Sequence, residues 1–282
     1  MVYVFCAFYG ECSGLIKHYN IKKRQTDKYY RLDVFENDNQ PVRIILTGQG
    51  SVMAAAALSG AASFFGIKAE DAIINVGTCA GNYEPGQVFI CNKITEEATG
   101  RTFYPDMILR SNLPERELVT APVVIRKSIH EYANKDSHNM VLYDMEAAAI
   151  YQAANLYVGP HRMGFVKVVS DNGDIEGLTP DFIKGLMAEA VDEIASYVDM
   201  FVTDTHDMCR AEESTQFTNQ LCKDLHCSKV MENQVRQLIK YLSLEGTDYM
   251  TYINKLYNEG RLPAHDKKNG KVCLDEIKRE LL

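Results

Sequence analysis

Two spacings of apolar and polar residues alternate along the first two hundred positions of the chain. Val2 to Phe8 is a short apolar run rich in β-branched and aromatic residues, which is the make-up of a buried strand. Tyr30, Leu32 and Val34 alternate with polar neighbours and predict a half-buried strand. Val42–Leu46, Ala72–Val76, Val88–Ile94, Met140–Leu142 and Phe165–Val169 are further strand candidates. Between them, Met53–Phe65 and Met145–Leu156 are stretches of small and apolar residues that predict packed helices. Thr179-Pro180-Asp181 offers an N-cap, a proline at the first helical position and an acid near the positive helix end. It predicts a helix running to about Phe201. This alternation predicts an α/β fold: three layers, α/β/α, with helices on both faces of a central mixed sheet.

Near Thr203 the pattern changes, and no β-rich run follows. Thr215–Leu225, Lys229–Leu242, Asp248–Asn258 and Leu274–Leu281 predict helices, with Gly260 and Pro263 stopping the third. The reading is an α/β domain over 1–204 and an all-helical C-terminal extension over 205–282. Charge follows the same division. The extension holds 12 basic and 12 acidic residues, so the whole net charge of -8 belongs to the first 204. That excess argues against a nucleic-acid partner, because a phosphate-tracking surface is basic. No apolar run approaches the roughly 20 residues that span a bilayer, so no membrane partner is expected. The amino terminus reads as a buried strand and not as a signal peptide. Eight cysteines without a framework spacing suit a reduced, cytoplasmic setting better than a disulfide scaffold.

The candidate chemistry lies where strands turn into helices. Gly48-Gln49-Gly50 occupies the place of a phosphate-binding glycine loop, but Met53 stands where a dinucleotide fingerprint needs its third glycine. A tight turn, or backbone amides approaching a small ligand, are the readings left open. Asn75-Val76-Gly77-Thr78-Cys79-Ala80-Gly81 is a second junction of small residues, and ligands of open α/β sheets bind outside the carboxyl ends of strands. Asp144-Met145-Glu146 sets two carboxylates at the start of an alanine-rich helix among apolar neighbours, so one of them is expected to face a cavity. Asp171 ends the buried run that only Lys167 interrupts. A partly desolvated acid there has a raised pKa and can donate a proton near neutral pH. Glu11, in Ala7-Phe8-Tyr9-Gly10-Glu11, follows the first strand, so three acids at three strand ends can converge on one pocket.

Taken in order, these segments resemble the nucleoside phosphorylase and nucleosidase superfamily, and within it the 5'-methylthioadenosine/S-adenosylhomocysteine nucleosidase branch. The resemblance covers roughly residues 1–203. It is carried by Asp144-Met145-Glu146-Ala147-Ala148-Ala149-Ile150, by Val168-Val169-Ser170-Asp171 and by the turn from Asn75 to Gly81. It implies cleavage of an N-glycosidic bond in a purine-like nucleoside, without metal or organic cofactor. Asp171 would protonate the base and Glu11 would position and activate water. Glu146 would hold the ribose hydroxyls and Met145 would pack on the sugar, with Thr78 beside the ribose and Ser170 beside the base. Phe8, Gln49, Cys79, Gly81 and Val124 complete the expected substrate contacts. The resemblance also implies a homo-oligomer, a dimer by preference.

Water and phosphate remain alternative nucleophiles. No arginine stands beside Asn75, and Glu11 would repel a phosphate dianion, which favours hydrolysis. The segment Glu97 to Pro105 resembles a stretch of the phosphorylases, and its Arg101 is a candidate cation for phosphorolysis. A non-catalytic nucleoside-binding module is the third reading. Val123-Val124 stands where the branch stacks an aromatic on the base, and Gln49 stands where methylthio-binding enzymes are apolar. A more polar 5' substituent is therefore expected. His206, Cys209, Cys222, His226 and Cys227 cluster in the extension without a standard zinc spacing, and no metal is expected there. Cys79 has no histidine near it in sequence to activate a thiol nucleophile.

Overall fold

The computed structural model describes residues 1–24, 31–125, 141–174 and 176–282, apart from the side chains of 206–214 and 244. Tyr30 and Met140, two of the expected strand positions, lie outside the described residues. The chain divides into two compact units, Met1–His206 and Asp207–Leu282.

The first unit is built on a ten-stranded mixed sheet. In chain order the strands are β1 (Val2–Cys6), β2 (Lys22–Lys23), β3 (Val34–Glu36), β4 (Val42–Leu46) and β5 (Ala72–Ala80). They continue with β6 (Val88–Glu96), β7 (Thr102–Phe103), β8 (Glu115–Thr120), β9 (Leu142–Asp144) and β10 (Met163–Asp171). β1 runs parallel between β4 and β5, and β5 runs parallel to β10. From β10 the pairing continues through β6, β8 and β9 and returns to Ala80 of β5, so five strands close a ring beside the open part of the sheet.

Among the described residues, four helices and the start of a fifth cover this sheet. They are α1 (Tyr9–His18), α2 (Ser51–Phe65), α3 (Ala147–Ala154), α4 (Pro180–Glu189) and α5 (Val191–Asp224). The two-residue alternation of the strands sorts their side chains into two cores. Tyr3, Phe5, Ile45 and Ile73 pack with the alanines of α2 and α3. Val2, Val4, Ile44 and Ile74 pack with α1, α4 and the first turns of α5. Small residues let α2 and α3 lie close to the sheet. Gly50 and Gly66 end α2 with positive φ of 91° and 66°, which suits residues without a Cβ.

Several boundaries differ from those the sequence suggests. The first strand stops at Cys6 because the amides of Ala7 and Phe8 turn to the carboxylate of Glu11. The helix expected from Pro180 to Phe201 breaks at Ala190, and its second part continues to Asp224, absorbing the helix expected from Thr215. The division between the units falls within α5.

In the second unit, α6 (Lys229–Glu245), α7 (Tyr249–Asn258) and α8 (Lys267–Leu281) pack with the end of α5 around Leu225, Val235, Leu242 and Ile253. Ser228, Asp248 and Asp266 cap the three helices through their side chains. α8 begins before the expected Leu274. Its Gly270 lies against the Leu225 carbonyl, where a Cβ would sit 1.9 Å from the oxygen. Among the described residues, no helix is long and apolar enough to cross a membrane.

Candidate active site

The carboxyl ends of β1, β4, β5, β9 and β10 surround a cavity of about 330 Å3 in the first unit. Glu11, Glu146 and Asp171 all line it.

Glu11 stands in the first turn of α1 and is almost fully buried. Its Oε2 accepts the amides of Ala7 and Phe8, at 2.9 and 3.3 Å. Its Oε1 accepts the amide and the hydroxyl of Thr78, at 2.7 and 2.9 Å. Four donors fill the acceptor positions of one carboxylate. β5 passes beneath as bare backbone, since a Cβ on Gly77 would lie 3.0 Å from Glu11 Oε1. This close approach is what the small-residue turn provides.

Glu146 occupies the N-cap position of α3, yet its side chain caps nothing. The amides of that first turn are served from elsewhere. Ala147 donates to Asp144 Oδ2 at 2.8 Å and Ala148 donates to the Thr120 hydroxyl oxygen at 2.9 Å. Glu146 is thereby left to the cavity, where Oε1 accepts the Gly50 amide at 2.7 Å. Burial pushes its carboxyl up to about 7, Asp144 and Glu11 push the same way, and Lys167 and the Gly50 amide oppose them.

Asp171 ends β10 at a break in register. Val169 pairs with Cys79 and Asp171 with Ala80, so Ser170 is the extra residue of a bulge. The Ser170 hydroxyl lies 2.7 Å from Asp171 Oδ2, and the Gly173 amide donates to Oδ1 at 2.8 Å. Burial raises the Asp171 carboxyl above the ordinary aspartate range against the opposing pull of those two bonds. Asp171, Ser170 and Leu178 also border a second cleft of about 730 Å3, which Tyr83 and Phe182 line as well.

Of the other expected contacts, Phe8, Gln49, Thr78, Cys79, Val124, Met145 and Ser170 line the same cavity. Among the described residues, Gln49 Nε2 donates to the weak acceptor Met145 Sδ alone, at 3.3 Å. The Cys79 thiol is buried and held well above its ordinary pKa by that burial, the wrong state for a nucleophile. Gly81 is outside the lining. Its amide donates to the Asp171 carbonyl at 2.8 Å, and a Cβ there would lie 2.8 Å from Leu142 Cδ2. Arg101 is exposed, bonded to Gln152 at 2.9 Å over the Phe103 ring, and lies outside the lining too. No group of three metal-ligating side chains forms among the described residues, and the His206 and Cys209 side chains lie outside them.

One participant is not singled out by sequence reasoning. Lys167 is 1% exposed in mid-β10, with Nζ 2.8 Å from Asp144 Oδ2. Its only trace in the sequence is that it interrupts an apolar strand, where an unpaired charge would be costly.

Solved structures that resemble this chain include nucleosidases. The Helicobacter pylori 5'-methylthioadenosine/S-adenosylhomocysteine nucleosidase with butyl-thio-DADMe-Immucillin-A superposes with a TM-score of 0.57. It is 11% identical over 70% of this chain and 97% of that one. This is the fold of the MTA/SAH nucleosidases. The Streptococcus pneumoniae MTA/SAH nucleosidase in complex with 8-aminoadenine gives 0.55, at 20% identity over 71% and 98%. Futalosine hydrolase of Helicobacter pylori shares the nucleosidase fold as well, at 0.57 and 12% identity over 70% and 97%. No family model and no curated protein sequence matches the chain.

Proposed function

We propose that the protein is an N-ribosyl hydrolase that cleaves a purine-like nucleoside to free base and ribose derivative. The observation that carries this reading is the charge of the cavity. Glu11, Asp144, Glu146 and Asp171 line it, and no basic side chain does so among the described residues. A phosphate dianion would be repelled by these four carboxyl groups, whereas water and an incipient cationic sugar are suited to them. The nucleosidase fold of the solved neighbours supports the same reading.

Asp171 is the general acid, since its raised pKa keeps a proton available for the leaving base. Departure of the protonated base leaves an oxocarbenium-like sugar, as in other glycoside cleavages. Glu146 accepts ribose hydroxyls through the oxygen that Gly50 does not use, and Met145 packs against the sugar. Glu11 positions the water. Three of its four donors are backbone amides, but the Thr78 hydroxyl can turn towards a ligand and release one lone pair. Water then bonds to the anomeric carbon and yields its proton to that carboxylate. The cycle needs neither metal nor cofactor. Gln49, with only a thioether as partner, suits a polar group at the 5' position.

Residues 1–204 carry the activity in this reading, and 205–282 form a helical extension. The active form is a cytoplasmic homodimer. The exposed Phe8, Tyr9, Met53 and Val123 support a partner over the mouth of the cavity. Incubation with a nucleoside panel, with and without phosphate, tests the reading by mass detection of free base. Release without phosphate is expected. A strict phosphate requirement would make the protein a phosphorylase, and saturable binding without release would make it a binding module.

A further inference from the structure

We propose that Lys167 is a positioning residue of the sugar site: it fixes Asp144, and through Asp144 the first turn of α3, and its charge keeps Glu146 available as an acceptor for ribose hydroxyls. The proposal rests on the nucleosidase reading and deepens it.

The geometry is a buried polar chain that begins beneath the cavity and ends in it. Lys167 sits in β10 opposite Gly77 of β5 and Phe89 of β6, with its ammonium against Asp144. Asp144 ends β9. Its Oδ1 accepts the Thr120 hydroxyl at 2.7 Å, while its Oδ2 takes both Lys167 and the Ala147 amide. Thr120 ends β8, and its hydroxyl oxygen accepts the Ala148 amide. Two strand ends, steadied by a lysine from mid-β10, therefore hold the start of α3 in place of the N-cap side chain, which is why Glu146 can turn into the cavity.

The charges give the same answer. Glu146 faces Asp144 from β9, Glu11 from α1 and Lys167 from β10, with the Gly50 amide from the start of α2. Lys167 faces Asp144, Glu146 and Glu11, together with the buried thiols of Cys6, Cys79 and Cys91 from β1, β5 and β6. Burial holds those thiols protonated, with Cys91 pushed up to about 12, so they add no charge. Lys167 is thus the one cation facing three carboxylates among the described residues. Burial disfavours its charge, yet Asp144 and Glu146 more than offset that and hold it above the ordinary lysine range. Among the described residues Glu146 accepts a single hydrogen bond, so its protonation responds to the withdrawal of positive charge.

The experiment follows the Glu146 carboxyl directly and then through catalysis. Carbon-13 NMR of the glutamate carboxyls in the full chain, assigned with Glu146→Gln, reads its titration whether or not any nucleoside is cleaved. A midpoint near 7 is expected in the wild type and in Lys167→Arg, and a midpoint at least one pH unit higher in Lys167→Met. With a cleaved nucleoside, the KM limb should move with that midpoint while the kcat limb set by Asp171 stays. One unit corresponds to roughly a fivefold rise of KM at pH 7. Lys167→Arg should restore the wild-type KM profile. Should Lys167→Met fail to fold, Lys167→Gln and the arginine variant carry the same comparison. An unmoved Glu146 midpoint in the neutral variants, or a moved kcat limb with an unmoved KM limb, overturns the proposal. A shifted midpoint in a protein that cleaves no nucleoside upholds the electrostatic link and overturns the nucleosidase reading alone.

Discussion

Two corners of one cavity hold a glutamate each, and they hold it by opposite means. At the Glu11 corner the carboxylate accepts four hydrogen bonds, three of them from backbone amides, and rests on the bare backbone of Gly77. At the Glu146 corner the described residues supply one amide, and burial, with Asp144 and Glu11, stands against Lys167. The contrast teaches that depth of burial does not decide what a buried acid can do. Donors built into the fold fix a carboxylate in one orientation. A carboxylate balanced by distant charges stays free to change its orientation and ionic form when a ligand arrives.

The strongest test lies between those corners. Asp171 accepts two hydrogen bonds and should owe its activity to its proton, so Asp171→Asn should lower kcat/KM by about 10² to 10⁴ for base release. Near-wild-type turnover in that variant would remove the general acid from the scheme. The next comparison sets Glu11→Gln beside Glu146→Gln in thermal melts. Glu11→Gln turns an amide towards groups that are all donors and should cost about 1–3 kcal/mol, with turnover falling roughly a hundredfold.

Glu146→Gln should act in the other direction on stability. A carboxyl whose pKa rises from 4.5 unfolded to about 7 folded opposes folding once ionised, so wild-type stability falls as pH climbs through that window. The variant should match the wild type near pH 4, melt higher at pH 8, and bind the nucleoside more weakly. Equal pH dependence of the two proteins would erase the contrast between the corners. Gly77→Ala should push the Glu11 carboxylate aside and lower kcat/KM about tenfold, with little change of KM, read from steady-state kinetics. The smallest change is expected from Gln49→Leu, which should move preference towards apolar 5' substituents by about tenfold without altering the rate for the best substrate.

Much of the first unit was legible because its strands and helices keep their periods. The three acids stood out because each closes a patterned run. Asp144-Met145-Glu146 also announces a helix start, but the sequence does not tell which acid caps the helix and which faces the cavity. That choice depends on Thr120 and Lys167, 24 residues before Asp144 and 23 after it. Lys167 itself reads as a blemish in an apolar strand until its partner is brought across the sheet. The helix α1 is hidden for a related reason: Glu11 in its first turn bonds backward to Ala7 and Phe8, a contact with no periodic signature. The break at Ala190 carries no glycine or proline, so nothing local marks it. Gly81, an expected substrate contact under the resemblance, lies outside the cavity lining, and packing against Leu142 demands its small size.

The acid-lined cavity lies within the part of the chain that holds the whole surplus of negative charge, while the helical extension is balanced. Under the proposed function, discrimination should therefore begin at long range: a phosphorylated nucleoside should be repelled on approach, over a Debye length of about 8 Å at physiological salt, and an uncharged one should diffuse in freely. Added salt should accordingly leave capture of the neutral molecule untouched and weaken only the barrier against its anionic counterparts.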